Sequence, residues 1–346
     1  MGPGRVVRTV SCHAGGEVGD VIVGGVDPPP GDTIWEQSRW IAEDGELRDF
    51  MLNEPRGGVF RHVNLLVPAV SPAADVGFII MEPVHTPPMS GSNSMCVATV
   101  VLETGIVEMT EPTTSIMLEA PAGLVSVEAR CRDGKVEQVT FTNVASFADR
   151  LDAIVELDDI GSLRVDTAFG GDSFVLVDAG DLGFVLEPSE AADIAGLGRR
   201  ITAAANEQLG FSHPSIDDGL DWNHISFCQI AGPLDIVDGD ATMRSTTVID
   251  PGKLDRSPTG TGVSARLAVL VAQGRLGVGD RLVMRSIIDS TFIGTVSATT
   301  SVGDRSAIVP TVSGTAWITG THEHTLDPGD PWPTGYRLSD TWPNSV

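Results

Sequence analysis

The sequence predicts an α/β protein built from two homologous halves, each with a helix held inside a sheet. Its 346 residues favour two domains, because a domain takes about 100–200 residues. Short stretches of β-type sequence alternate with a few helical stretches along the chain. One 16-residue segment is followed, about half a chain later, by a second segment of the same pattern.

The repeated segments are SGSNSMCVATVVLETG at 90–105 and TGTGVSARLAVLVAQG at 259–274. Each begins with a hydroxyl residue, a glycine and a second hydroxyl residue, and each ends at a glycine after an apolar helical stretch. Glycine is favoured just after a helix because it readily adopts the left-handed backbone conformation. β-rich sequence follows both segments. The pattern indicates an internal duplication, and chance similarity of two glycine-rich loops is the alternative.

The other elements follow from local patterns. Prolines in VDPPPGDT stop regular structure after the opening strands, because proline fixes φ and lacks an N–H donor. The predicted elements, in chain order, are strands within 5–26, one helix over 33–52, strands at 62–70 and 76–82, the first repeat helix at 92–103, strands within 114–143 and 164–179, a helix over about 189–209, further strands, the second repeat helix at 262–273, closing strands and a turn-rich tail.

Composition excludes several classes of protein. The 41% hydrophobic content supports a buried core and argues against disorder. The formal charge of −25 repels phosphate backbones, so no nucleic-acid partner is expected. Four dispersed cysteines form no disulfide framework, and the apolar runs are far shorter than a span of about 20 residues. With no recognisable signal peptide, the expected location is cytoplasmic, without a membrane partner.

The two glycine-rich helix starts suggest a site that binds an anion and transfers a proton. The start of a helix presents unpaired N–H groups and the positive end of its dipole, which together bind anions. If the two heads face each other, Ser90 and Thr259 point at opposite faces of one small carboxylate. One group can then remove the proton next to the carboxylate, and the other can return it. In the alternative interpretation, both residues are ordinary N-caps.

The segments PPMSGSNSMCVATVVLETG and DRSPTGTGVSARLAVL resemble the two signatures of the proline racemase family. That family includes 4-hydroxyproline 2-epimerases and trans-3-hydroxy-L-proline dehydratases. SCHAGGE, LNEPRGG, VEQVTFTNVASF, DTAFGGDSF and ANEQLGF extend the resemblance over most of the chain. It implies a diaminopimelate-epimerase-like α/β fold with two pseudo-symmetric domains, each a barrel-like sheet around a central helix, and no metal or organic cofactor. The expected domains are 1–163 plus 325–346, and 164–324.

The chain departs from the racemases at the helix heads. Family racemases carry a catalytic cysteine at each of the positions that correspond to Ser90 and Thr259, and Ser92 replaces the family's histidine. A thiolate is accessible near neutral pH, whereas an alcohol needs a partner or a strong local field to act as a base. Racemisation needs two such groups. Dehydration of trans-3-hydroxy-L-proline needs one, because its α-hydrogen and 3-hydroxyl share a ring face.

The resemblance also implies roles for neighbouring residues. Ser90 is the predicted single acid/base group, and Thr259 is a positioning residue. Backbone N–H groups at Gly91, Ser92, Gly260 and Thr261 are expected to bind the substrate carboxylate. Asp255 is expected to accept a hydrogen bond from the ring nitrogen, with a plain turn residue as the alternative. His224 is placed near the ring hydroxyl, with a packed histidine as the alternative.

The predicted function is that of a trans-3-hydroxy-L-proline dehydratase. A hydroxyproline 2-epimerase or proline racemase is the alternative, and a non-catalytic imino-acid binder is a third interpretation. The expected partner is proline or hydroxyproline, and a homodimer is left open. No metal site is predicted, because His13 with Glu17 and His322 with His324 lack a third ligand nearby.

Overall fold

The computed structural model describes residues 6–214 and 222–343. The chain forms two compact units, which we call unit 1 (Met1–Phe141 with Gly314–Val346) and unit 2 (Thr142–Ser313). The elements are β1 (Val6–Ala14), β2 (Glu17–Gly24), α1 (Ile34–Asp44), α2 (Glu46–Leu52), β3 (Arg61–Val67), β4 (Val76–Met81), α3 (Gly91–Glu103), β5 (Thr113–Ala120), β6 (Gly123–Arg132), β7 (Lys135–Thr142), β8 (Phe147–Leu157), β9 (Gly161–Phe169), β10 (Ser173–Asp178), α4 (Ala179–Leu182), a 3₁₀ turn (Pro188–Glu190), α5 (Ala191–Gln208), β11 (Phe227–Ala231), β12 (Asp235–Val237), β13 (Asp240–Ile249), β14 (Lys253–Leu254), α6 (Gly260–Ala272), β15 (Arg281–Arg285), β16 (Thr291–Val302), β17 (Arg305–Gly314) and β18 (Ala316–Thr325).

The division between the units falls earlier in the chain than the expected boundary at 163/164. β8 pairs antiparallel with β9, from Phe147 opposite Phe169 to Leu157 opposite Gly161, and both strands belong to unit 2. The return to unit 1 also comes earlier than residue 325, because β18 pairs with β1 along its length. Long-range strand pairing sets both boundaries, and local sequence does not show it.

The two units repeat one strand order. In unit 1 the pairs β18–β1 and β1–β2 are antiparallel, β2–β3 parallel, β3–β4 antiparallel, β4–β5 parallel and β5–β6 antiparallel. In unit 2 the same senses recur in the pairs β8–β9, β9–β10, β10–β11, β11–β13, β13–β15 and β15–β16. Helices α3 and α6 occupy the same place in this order. The topology therefore matches the duplication that the sequence predicts.

Each repeat helix is the buried centre of its unit. Every residue of α3 from Gly91 to Leu102 is buried, and α3 lies against β1, β2 and β18. Helix α6 lies in the same way against β8, β9 and β16. The closing glycines Gly105 and Gly274 have φ of 74° and 69°, the left-handed conformation expected after a helix. None of the helices in the described ranges has the length and apolar content of a membrane span.

The helix predicted over 33–52 is two helices. α1 begins at the predicted place, where Thr33 and Glu36 form a capping box. It ends at Gly45, whose φ of 67° lies in the left-handed region that glycine adopts without strain. The same glycine is the N-cap of α2, so one residue accounts for the difference from the prediction.

Acid is expected to destabilise unit 2 through His213. This ring lies 4.5 Å from the Phe169 ring and 5.4 Å from the Phe147 ring, measured between centroids. Burial, assisted by the charge of Arg305, lowers the pKa of His213 to about 4. An unfolded histidine titrates near 6.5, so the unfolded chain binds more protons between these values. Stability therefore falls as the pH falls from 6.5 toward 4.

Thermal unfolding between pH 7 and pH 4 tests this expectation. The variant His213→Asn should lose less of its melting temperature over that interval than the unsubstituted chain. The variant should still lose some melting temperature over this interval, because burial also lowers the pKa of His13 and of His324. Parallel pH profiles for the two proteins would contradict the assignment.

Candidate active site

The heads of α3 and α6 each present a short row of backbone donors. The first intrahelical bonds run from Ser94 N to Ser90 O (2.9 Å) and from Val263 N to Thr259 O (2.8 Å). The N–H groups of the three residues before each donor therefore have no intrahelical acceptor. In α3 these residues are Gly91, Ser92 and Asn93, and in α6 they are Gly260, Thr261 and Gly262. Such a row of donors favours an anion, and the binding of a substrate carboxylate at either head stays a prediction.

Ser90 stands at the head of α3 but does not cap it. Its backbone is extended (φ −145°, ψ 125°), and its side chain makes no capping bond. Instead its Oγ accepts a hydrogen bond from Asn93 Nδ2 at 2.9 Å and lies 3.5 Å from Ser92 Oγ. Ser90 is half-buried, so a ligand can reach its hydroxyl. The N-cap alternative does not account for this side chain.

A cluster of buried polar side chains lies behind Asn93, the residue that donates a hydrogen bond to Ser90. Asn93 contacts His62, with 3.3 Å between Nδ2 and Nδ1. On its far side, His62 Nε2 lies 3.4 Å from Glu17 Oε1, and its Nδ1 lies 3.6 Å from Glu82 Oε1. These four side chains are almost wholly inaccessible to solvent. The cluster leaves no local sequence signal, because its members come from β2, β3, the residue after β4, and α3.

Thr259 is held by its own turn in unit 2. Its Oγ1 donates a hydrogen bond to Asp255 Oδ2 at 2.7 Å, and its N–H donates to Ser257 Oγ at 3.0 Å. The N–H of Ser257 donates in turn to Asp255 Oδ1 at 2.7 Å. These bonds fix Thr259 at a φ of 63°, a strained left-handed conformation for a β-branched residue. Thr259, too, makes no capping bond.

The two hydroxyls therefore have opposite hydrogen-bond polarity. Ser90 accepts from an amide, which leaves its own proton available to a ligand. Thr259 gives its proton to a buried carboxylate, so its oxygen offers lone pairs. Asp255 accepts from both Ser257 and Thr259, as the turn residue of the alternative interpretation would. The predicted pairing of Asp255 with a ring nitrogen stays a prediction.

The predicted site residues lie in both units. Ser90, Gly91 and Ser92 belong to the head of α3 in unit 1, whereas Asp255, Thr259, Gly260 and Thr261 belong to the head of α6 in unit 2. His224 also belongs to unit 2. Its Nε2 lies 3.2 Å from Ser226 Oγ, and its ring meets that of Trp222 edge-on at 5.9 Å. A role for His224 toward a ring hydroxyl stays a prediction.

Activity is expected to resist iodoacetamide, because no thiol stands at either helix head. All four cysteines, Cys12, Cys96, Cys131 and Cys228, are buried and free. Burial raises the pKa of Cys228 to about 12 and also raises that of Cys96, so their reactive thiolates are scarce. Residual activity after alkylation measures this, and a Ser90→Cys variant is the sensitive control. Substrate-protected inactivation of the unsubstituted chain would contradict it.

Comparison with known proteins places the chain in a family. The family model described as proline racemase matches residues 9–337, nearly the whole chain. The chain belongs to the proline racemase family. The predicted membership of this family is thereby confirmed, and so is the expectation of an enzyme of this family.

Solved structures of similar proteins agree with this assignment. A hydroxyproline epimerase from Agrobacterium vitis, with bound trans-4-hydroxy-L-proline, is 40% identical, with a TM-score of 0.92 over 98% of this chain and 96% of that one. A probable proline racemase from Agrobacterium radiobacter K84, with bound carbonate, is also 40% identical, with a TM-score of 0.91 over 97% and 98%.

More distant structures establish the fold alone. A PhzF-family phenazine biosynthesis protein from Bacillus anthracis is 14% identical, with a TM-score of 0.55 over 92% of this chain and 99% of that one. The proline racemase family chain therefore has the mixed α/β fold of diaminopimelate-epimerase-like and PhzF-like proteins, as predicted.

Proposed function

We propose that this chain removes the α-proton of a hydroxyproline without a cofactor, and that its reaction is the dehydration of trans-3-hydroxy-L-proline. The observation that carries the proposal is the 2.7 Å bond from Thr259 to Asp255. Because the Thr259 proton is committed to that carboxylate, this hydroxyl is a poor source of the proton that inversion must return. Proton transfer at one face of the substrate, by Ser90, fits this arrangement better than proton transfer at both faces.

In the proposed reaction, Ser90 works first as a base and then as an acid. Its ionised oxygen takes the α-proton, and the electron pair of the C–H bond forms the C2=C3 double bond. The C3–O bond breaks, and the departing hydroxide receives the proton from Ser90 as water. The enamine product tautomerises to a pyrroline carboxylate. The hydrogen bond from Asn93 and the start of α3 both favour negative charge on the Ser90 oxygen.

In this proposal, the free N–H groups of Gly91 and Ser92 at the head of α3 bind a carboxylate oxygen of the substrate. The same role is proposed for the N–H groups of Gly260 and Thr261 at the head of α6. Asp255 would accept a hydrogen bond from the ring ammonium, which is stronger than one from a neutral donor. His224 would contact the ring hydroxyl. No step in this scheme requires a metal or an organic cofactor.

Epimerisation of 4-hydroxyproline at C2 is the second candidate, and the comparisons favour it over dehydration. Both similar structures at 40% identity are named as isomerases, and one of them holds trans-4-hydroxy-L-proline. For this chain, epimerisation requires Thr259 to exchange a proton with the substrate, assisted by Asp255. An enzyme with two hydroxyl groups would then do what the family's racemases do with two thiols.

Product analysis separates the candidates. The purified chain is incubated in deuterated water with proline, both 2-epimers of 4-hydroxyproline and both 3-hydroxyprolines. Formation of a pyrroline product from trans-3-hydroxy-L-proline, and from none of the other substrates, supports dehydration. Efficient inversion of 4-hydroxyproline or proline, with deuterium at C2, overturns it in favour of the isomerase. An absence of any exchange or product leaves the third interpretation, a binder of imino acids.

Restoring a thiol in unit 2 is expected to add isomerase activity. Thr259→Cys supplies a second acid/base group, whose thiolate is accessible near neutral pH. Chiral separation of proline and 4-hydroxyproline after incubation should show inversion in the variant above the unsubstituted level. Thr259→Ser, which keeps an alcohol, is the matched control and should show no gain. Equal inversion by all three proteins would contradict the expectation.

A further inference from the structure

We propose that Asn93 is a positioning residue that fixes the Ser90 hydroxyl as a hydrogen-bond acceptor and directs the Ser90 proton toward the ligand. The inference rests on the proposed role of Ser90 in α-proton removal and holds whichever product forms. It extends the site from the helix head to a buried chain of amides behind it.

A backbone carbonyl determines which way the side-chain amides of Asn64 and Asn93 are oriented. Asn64 Nδ2 donates to Asp20 O at 3.2 Å and to Asn93 Oδ1 at 2.8 Å. A carbonyl oxygen only accepts, so Asn64 must turn its NH₂ group toward it. The oxygen of Asn93 then faces Asn64, and its NH₂ group faces Ser90.

The orientation of Asn93 decides what Ser90 can do. Asn93 Nδ2 donates to Ser90 Oγ at 2.9 Å, which occupies one lone pair and leaves the hydroxyl proton pointing elsewhere. If Ser90 loses that proton, the same bond becomes a charge-assisted hydrogen bond to an oxyanion, about twice as strong as a neutral one. The amide thus favours the ionised form of Ser90, which is the form that can remove a proton.

The second hydrogen of the Asn93 amide is directed to His62. Because an amide NH₂ group only donates, His62 Nδ1 is the acceptor in the 3.3 Å contact with Asn93. Two carboxylates face the same ring: Glu82 Oε1 lies 3.6 Å from Nδ1, and Glu17 Oε1 lies 3.4 Å from Nε2. Asn64, His62 and Asn93 are each at most 2% exposed, so bulk water does not compete for these bonds. The amide has little freedom to flip, because each of its polar atoms has a partner.

Unit 2 has no asparagine at the helix position that corresponds to Asn93. Residue 262, which corresponds to Asn93 in the repeat, is glycine. A Cβ on Gly262 would lie 2.7 Å from Gln229 Nε2, so a side chain such as asparagine at this position would have to displace the end of Gln229. Thr259 therefore receives no hydrogen bond from an amide at this position, and its hydroxyl donates to Asp255 instead.

The direct test titrates a reporter thiol at the Ser90 position and does not depend on activity. In a Ser90→Cys background, the four native cysteines are buried, so the pH dependence of iodoacetamide reaction reports the introduced thiol. Adding Asn93→Ala should raise the pKa of that thiol by about 1 to 2 pH units, the equivalent of a hydrogen bond to a charged group. Adding Asn64→Asp should raise it at least as far, because the new carboxylate draws the NH₂ group of Asn93 away.

Asn143→Asp is the matched control. Asn143 is a buried asparagine of unit 2 that donates to Gly170 O and Ser264 Oγ, so its substitution carries a similar burial cost. In the same background it should leave the thiol pKa within about 0.3 pH units of the parent, a shift smaller than a hydrogen bond produces. Thermal unfolding checks that each variant is folded. Unchanged thiol pKa values in folded Asn93→Ala and Asn64→Asp variants would overturn the proposal.

A second measurement uses the serine enzyme. Asn93→Ala should lower the maximal rate of α-proton exchange by about 10- to 100-fold while the Kd for pyrrole-2-carboxylate, a planar carboxylate, changes less than about threefold. A purely structural role would weaken binding and exchange together, and that result would overturn the inference. Exchange without dehydration would refute the proposed product and leave the role of Asn93 standing.

Discussion

Replacing Ser90 by alanine is expected to reduce α-proton exchange and dehydration by about 10²- to 10⁴-fold, the usual worth of a positioned acid or base. The loss should fall on the chemical step. Gly91, Ser92 and Asn93 keep their free N–H groups in the variant, so pyrrole-2-carboxylate should bind with a Kd within about threefold of the parent. Deuterium incorporation at C2 measures the first quantity, and titration calorimetry measures the second.

Ser94→Ala is the control for the Ser90 substitution. Ser94 is a buried serine one turn along the same helix, and its Oγ donates to the Ser90 carbonyl at 2.8 Å. Its loss removes one local hydrogen bond, so exchange should fall by less than about tenfold. Full exchange in Ser90→Ala, or equal losses in both variants, would show that Ser90 is not the acid/base group.

Asp255→Asn is expected to weaken the binding of hydroxyproline by about 10- to 100-fold. Asp255 accepts hydrogen bonds from Ser257 N and from Thr259 Oγ1 on its two oxygens, and asparagine has one oxygen for the two donors. The variant also loses the negative charge proposed to face the ring ammonium, and hydrogen bonds to charged groups contribute about 1.5–3 kcal/mol.

Two ligands separate these effects. Hydroxyproline carries the ammonium, whereas cyclopentanecarboxylate has the ring and carboxylate without nitrogen. The Kd for hydroxyproline should rise far more than the Kd for cyclopentanecarboxylate. Asp159→Asn, an exposed carboxylate of unit 2, controls for the change in net charge and should alter neither. Equal weakening of both ligands by Asp255→Asn would mean that the residue only holds its turn.

The sequence predicted the parts of the fold that local chemistry decides. Both central helices, and the glycines Gly105 and Gly274 that close them, were predicted from the repeat, because apolar runs and left-handed glycines act over a few residues. The unit boundaries were not predicted correctly, since the pairing of β8 with β9 and of β18 with β1 decides which unit each strand belongs to. The break at Gly45 was also missed, because one helix was predicted to run through this glycine.

At the candidate site, sequence reasoning reached the residues at the helix heads and missed what holds them. Ser90 and Thr259 look alike in the repeat, as small hydroxyl residues before a glycine. Their opposite hydrogen-bond polarity depends on Asn93 in one unit and on Asp255 in the other. The orientation of Asn93 depends in turn on Asn64 and on the Asp20 carbonyl, residues that only the folded chain brings together.

The matching strand order of the two units has an evolutionary consequence. Each helix head is supported by the sheet of its own copy, so a substitution at one head leaves the support of the other intact. The asparagine at position 93, where the second copy has glycine at position 262, is a divergence of this kind. After a tandem duplication, each copy can therefore change the residues around its own helix head without disturbing the sheet of the other copy.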